Sequence, residues 1–174
     1  MAKYKVGDTV VHWIYGSGNI VAIEDKGLPG EPCNYYIING SKQILWVPVD
    51  ETAGSSLHLP ISASDFSLLI KILRSSGEEM SNNPFIRSGQ LDKQMQLPTP
   101  KDLCLVIRDL TYRAHSRKLS SSDMQILAQA QSYLLDEWER SLGTPREEAR
   151  HDMEWMLREA PARHHSFYSH RLHS

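Results

Sequence analysis

A chain of 174 residues with 40% hydrophobic content can build one ordinary domain or two small ones and give them apolar cores. Its formal net charge of −2 and pI near 6.4 exclude attraction to nucleic acid over the whole surface, so any such contact must be local. No run approaches the roughly 20 apolar residues that cross a bilayer, and the first residues lead into a strand rather than a signal-peptide core. The two cysteines, Cys33 and Cys104, form no Cys-x-x-Cys pair for zinc or redox work, so a cytoplasmic protein with reduced thiols is expected.

The first fifty residues are written as strands. Val6-Gly7-Asp8-Thr9-Val10-Val11-His12 is followed by Ile20-x-x-Ile23-Glu24, Tyr35-Tyr36-Ile37-Ile38 and Leu45-Trp46-Val47-Pro48-Val49. Each run is short, β-branched or aromatic, and bounded by Gly, Asp, Asn or Pro. They predict a strongly bent β-barrel over residues 1–54. Gly16-Ser17-Gly18 reads as a tight turn between strands that needs positive φ. It lacks the Lys-Ser/Thr of a phosphate loop and precedes a strand, not a helix. The small, polar stretch Glu51-Thr52-Ala53-Gly54-Ser55-Ser56 marks the domain boundary.

Beyond it, helix-start signals recur. Ser62-x-x-Asp65, Thr99-Pro100-x-Asp102, Ser120-x-x-Asp123 and Thr144-Pro145-x-Glu147 each offer a capping oxygen followed three residues later by an acid. Two of them put Pro at the first helical position. Apolar stripes follow at helical spacing: Phe66, Leu69, Ile70 and Leu73; Leu103, Val106, Ile107 and Leu110; Leu127, Ala130, Leu134 and Trp138; Met153, Trp155, Met156 and Leu157. A weaker helix from about Pro84 to Met95 contributes Ile86 and Leu91. Gly143 is placed to end the fourth helix in a left-handed cap. The expectation is an α+β chain of two domains, a Tudor- or SH3-like barrel and a compact bundle of about five helices over residues 60–158. A mobile tail, 159–174, carries His164, His165, His170 and His173.

Chemistry-bearing patterns are few. Ser, His and Asp occur without a nucleophile elbow or strained turn, so no catalytic triad is read. The tail histidines could bind a transition metal loosely, but no fixed metal site and no cofactor are expected. Arg108, Arg113, Arg117 and Lys118, with His115 among them, give the helical part its one basic stretch, and helical spacing puts Arg113 and Arg117 on one face. Such a face is either solvated surface or a nucleic-acid contact.

The strand order at the start resembles the amino-terminal domain of the CarD/CdnL family of bacterial transcription regulators, a domain shared with the transcription-repair coupling factor. The likeness continues through the helices. Val106-Ile107-Arg108-Asp109-Leu110 is similar to that family's Val-Val-Arg-Asp-Leu segment, Lys118-Leu119-Ser120 to its loop ending in Leu-Ser, and Ala130-x-x-x-Leu134-Leu135-x-Glu137 to its long penultimate helix. The resemblance covers roughly Tyr4 to Leu157. It implies a non-enzymatic regulator whose barrel binds the β subunit of RNA polymerase. The helical domain would then touch promoter DNA, without sequence specificity, at the upstream edge of the melted region.

Carried over residue by residue, the resemblance implies polymerase contacts at Lys26, Trp46, Val47 and Pro48. DNA contacts fall on Phe85, Arg87, Lys93, Arg113, Arg117 and Lys118. The family's Trp before the basic residues is absent, and Ser81-Asn82-Asn83-Pro84-Phe85-Ile86-Arg87 stands there instead. Phe85 is then either an apolar wedge or a core residue, and Trp46 either an interface anchor or barrel core. His58 occupies the place of a family Arg. A monomer with no membrane partner is expected; the alternatives are an adaptor without productive DNA contact and an enzyme with an unrecognised site.

Overall fold

The computed structural model describes residues 3–12, 14–27, 33–40, 43–49 and 57–160. The expected tail therefore lies, from residue 161 on, outside the described residues. Five strands, β1 (Thr9–His12), β2 (Gly16–Asp25), β3 (Asn34–Gly40), β4 (Ile44–Pro48) and β5 (Leu57–His58), form an antiparallel sheet in the order β4-β3-β2-β1-β5. Alternation sorts their side chains. Val10, Ile20, Tyr36, Ile38, Leu45, Val47 and Leu57 turn inward and close with Tyr4 over one core.

Two features bend the sheet. Val21 has no partner on β3, because pairing steps from Ile20–Ile38 to Ala22–Ile37, and such a bulge kinks its strand. Gly18 lets β3 come close, since a Cβ there would sit 2.5 Å from Ile38 Cγ2 and 2.8 Å from the Asn39 carbonyl oxygen. The Gly-Ser-Gly stretch is thus not the turn expected of it. Ser17 and Gly18 already pair with Val11 and Val10, and only Gly16, at φ +80° and opposite His12, has the turn-type backbone. The barrel also extends past residue 54. β5, two residues long, has no period to announce it and is defined only by its pairing with β1.

Five helices follow: α1 (Ala63–Leu73), α2 (Pro84–Gln96), α3 (Pro100–Ser116), α4 (Ser121–Leu142) and α5 (Arg146–Glu159). Ser62 accepts the Asp65 N–H, Thr99 and Ser120 complete capping boxes with Asp102 and Asp123, and Gly143 closes α4 at φ +67°. Thr144 does not cap α5. The helix starts one residue later than the motif suggests, with Pro145 at the cap position and no side-chain bond, leaving Glu147 and Glu148 to face the helix dipole. The core gathers Phe66, Leu73, Leu103, Ile107, Leu110, Leu134, Trp138 and Met153, with the Phe66 and Trp138 rings 5.1 Å apart. Ile86 and Trp155, expected to face this core, are half exposed.

Barrel and bundle meet at Glu137 of α4, whose side chain is only 2% exposed. Its Oε1 accepts the Ile61 N–H at 3.0 Å and the Ser141 hydroxyl at 3.1 Å, while Oε2 lies 3.1 Å from His58 Nε2. Burial opposes ionisation of Glu137, but hydrogen bonds from His58, Ile61 and Ser141 outweigh it and hold the carboxyl below its ordinary value of 4.5. A depressed folded value stabilises the fold above the unfolded value, and that contribution is lost as pH falls through the folded one. Glu137→Gln should lower stability near neutral pH by on the order of 1–3 kcal/mol, and the gap to the parent should shrink as pH falls below about 4.5. Thermal melts across this range check it; a gap independent of pH would mean the charge of Glu137 contributes nothing.

Candidate functional site

Two exposed aromatic side chains, one on each domain, organise the candidate surfaces. On the barrel, the bonds from Val49 N–H to Asn34 O and from Gly40 N–H to Gln43 O fix which backbone groups of β4 face β3. Residues 43, 45, 47 and 49 bond inward to that strand, so the N–H groups of Ile44 and Trp46 point to the other edge. Among the described residues β4 pairs only with β3, and Pro48, lacking an N–H, sits in the same outward register. Among the described residues no strand pairs with that edge.

Trp46 rises from this edge strand 51% exposed, which overturns the barrel-core alternative. Its ring has Lys26 Nζ 4.8 Å from its centroid and the Tyr35 ring 6.5 Å away. Lys26 is also paired with Glu24 at 2.8 Å. Val47, in contrast, points into the barrel at 5% exposure and cannot offer its side chain to a partner. Alternation decides that: a strand residue next to an outward Trp faces inward. The residue that the motif comparison missed is Ile44, 61% exposed and two positions before Trp46 on the same face. The period-two pattern alone would have found it.

The second surface lies where α2 begins and α3 ends. Phe85, second residue of α2, is 86% exposed, so the core alternative fails here too. Asn83 caps the helix by accepting the Phe85 N–H at 3.0 Å. Asn82 Oδ1 accepts from Arg113 Nη1 at 3.3 Å and so ties the start of α2 to the basic end of α3. Burial, then the neighbouring charge of Arg87, keeps the Arg113 pKa below the ordinary arginine value, and its Nε has no acceptor among the described residues. Arg113 and Arg117 line an open pocket of about 430 Å³ with Met80, Asn82 and Tyr112. Lys118 follows in solvent.

Two of the expected DNA residues do not join this group. Arg87 is buried at 4%, with Nε 3.0 Å and Nη2 2.9 Å from the Asp123 carboxylate and Nη1 donating to the Ser81 carbonyl at 2.8 Å. Its charge is spent inside the protein, because a guanidinium removed from water must be paired, and Asp123 is the carboxylate that meets it. Lys93 lies two turns along α2 from Phe85, about 12 Å by helical rise. It lines a shallow hollow with Ile126 and Gln129 of α4 instead. His58 is likewise no free cation, being committed to Glu137.

Residues 68–154 match the CarD, C-terminal domain family, and residues 4–54 match the CarD-like/TRCF RID domain family. The chain belongs to the CarD/CdnL family. The two CarD matches fall on the helical bundle and on the barrel, and mark a transcription-associated, RNA polymerase-interacting protein of a non-enzymatic family. Among the described residues no helix is long and apolar enough to cross a membrane.

The burial pattern separates exposed from core positions on β4. Trp46→Ala should leave the melting free energy within about 0.5 kcal/mol of the parent, as for other surface changes, whereas Val47→Ala should cost on the order of 2 kcal/mol. Urea unfolding of both variants reads the difference, and equal losses would return Trp46 to the core.

Proposed function

We propose that this protein binds the β subunit of RNA polymerase through the open β4 edge and the Trp46 face, and steadies the open promoter complex by contacting DNA with Phe85 and the Arg113, Arg117, Lys118 end of α3. The observation that carries the reading is a large aromatic held in solvent on each domain: Trp46 with Lys26 against its ring, and Phe85 three residues after the Asn82 that Arg113 of α3 bonds. On the barrel, edge pairing supplies affinity and the indole supplies an anchor. On the bundle, Arg117 and Lys118 suit phosphates, and an exposed Phe suits insertion against an unstacked base step in the minor groove. The site is cytoplasmic on this reading, and the protein acts as a monomer on promoters without reading their sequence. Tethering to polymerase raises the local DNA concentration enough for a weak contact to matter.

A second reading, an adaptor with no productive DNA contact, is favoured by the internal pairing of Arg87 and the partial burial of Arg113. The two separate in one set of assays. Trp46→Ala should weaken binding to isolated β at least tenfold by calorimetry with the fold intact; no heat at about 100 μM parent protein would exclude all but a weak complex. Phe85→Ala should shorten open-complex lifetime and Phe85→Trp preserve it. Neutralising Arg117 and Lys118 should lower the salt slope by about one per lost phosphate contact. Unchanged lifetimes in all three, with β binding retained, would leave the adaptor.

A further inference from the structure

We propose that Arg87 is a positioning residue: paired with Asp123, it holds the turn before α2 so that Phe85 stays extended into solvent, and it never meets the DNA itself. The inference rests on the DNA reading above for its functional consequence, though not for its geometry. α2 has little else to hold its first turn. Leu91, in the second turn, is its fully buried apolar residue, while Phe85 and Ile86 face water. The guanidinium does the fastening instead. Its Nε and Nη2 engage both oxygens of Asp123, and Nη1 reaches back to the Ser81 carbonyl, which fixes the turn on one side of Phe85 as the side chain fixes the helix on the other.

Asp123 is itself immobile. It accepts the Ser120 N–H at 3.1 Å and, as the third residue of α4, completes that helix's capping box, so the clamp ends on a long helix rather than a loop. Its carboxylate is the opposite charge that Arg113 faces across the same corner, and burial of Asp123 is outweighed by Arg87 and Ser120, which keep it ionised. A bidentate ion pair is directional where apolar packing is not. An exposed phenylalanine has nothing of its own to fix its direction.

The test is a cycle of variants in full-length protein with polymerase and promoter. Arg87→Met/Asp123→Asn removes both charges without stranding either, and keeps an oxygen on residue 123 for the cap. If Arg87 acts through Phe85, this variant should shorten open-complex lifetime by about the factor that Phe85→Ala does, and adding Phe85→Ala should shorten it no further. Its salt slope should equal the parent's, unlike that of Arg117→Gln. Fluorine NMR of the protein carrying 4-fluorophenylalanine gives a readout independent of DNA: the Phe85 line should narrow in the charge-free variant while that of buried Phe66 stays put. A lifetime loss that multiplies with Phe85→Ala, a lowered salt slope, or an unchanged Phe85 line would each overturn the proposal. If Phe85→Ala alone is without effect on lifetime, the wedge reading fails and the fluorine signal alone decides whether the clamp holds the turn.

Discussion

Barrel and bundle are joined by a carboxylate that water does not reach. Burying Glu137 is costly unless every lone pair finds a donor, and its donors come from both sides of the junction: His58 on β5, Ile61 in the segment that follows, Ser141 on α4 itself. The site therefore exists only when the barrel sits in one place. A purely apolar junction would tolerate sliding at little cost; a buried charge with fixed donors does not. Arg140, on the next turn of α4, brings its guanidinium up to the barrel backbone at Gly16, where a Cβ would lie 2.9 Å from its Nη2.

A related logic governs the exposed aromatics. A side chain in solvent is not positioned by its own contacts, so its direction comes from what its neighbours bury. Trp46 is flanked by Leu45 and Val47, both inward, and the strand cannot rotate without exposing them. Phe85 stands on a helix with a thin apolar face, and the neighbouring anchor is charged instead. The strand achieves by alternation what the helix achieves by an ion pair.

Much of this was legible in the sequence, and the parts that were not share a cause. Capping boxes at Thr99 and Ser120, the cap at Ser62 and the glycine stop at 143 are local chemistry, and they lie where the residues predict. β5 is invisible because two residues carry no period; only β1 across the sheet makes Leu57 and His58 a strand. Arg87 reads as a surface cation because it follows an aromatic in a polar run, and nothing nearby reveals that Asp123, 36 residues on, takes up its charge. Long-range pairing likewise converts His58 from the substitute for a family arginine into part of the domain junction. Conversely, the alternatives for Trp46 and Phe85 could be weighed from sequence only as core or surface, and three-dimensional burial places both outside.

Asp123 and Glu137 stand on the same helix. They are 14 residues apart, about 21 Å along α4 by helical rise. One end of that helix fixes the turn that carries Phe85, and the farther carboxylate fixes the barrel that carries Trp46. Because α4 is continuous, capped at Ser120 and closed by Gly143, the spacing between the two aromatic surfaces is set by a rod with a buried charge at each attachment. This matters because two of the arginines nearest the turn that carries Phe85 are not free in solvent. With Arg87 paired internally and Arg113 partly buried, the proposed DNA contact would draw on Arg117 and Lys118 for only a small counterion-release gain, too little for firm binding in free solution. A contact that weak becomes useful only if polymerase holds the barrel and the rod delivers Phe85 to a fixed place. The entropy of aligning the two surfaces is then met in folding rather than at each promoter.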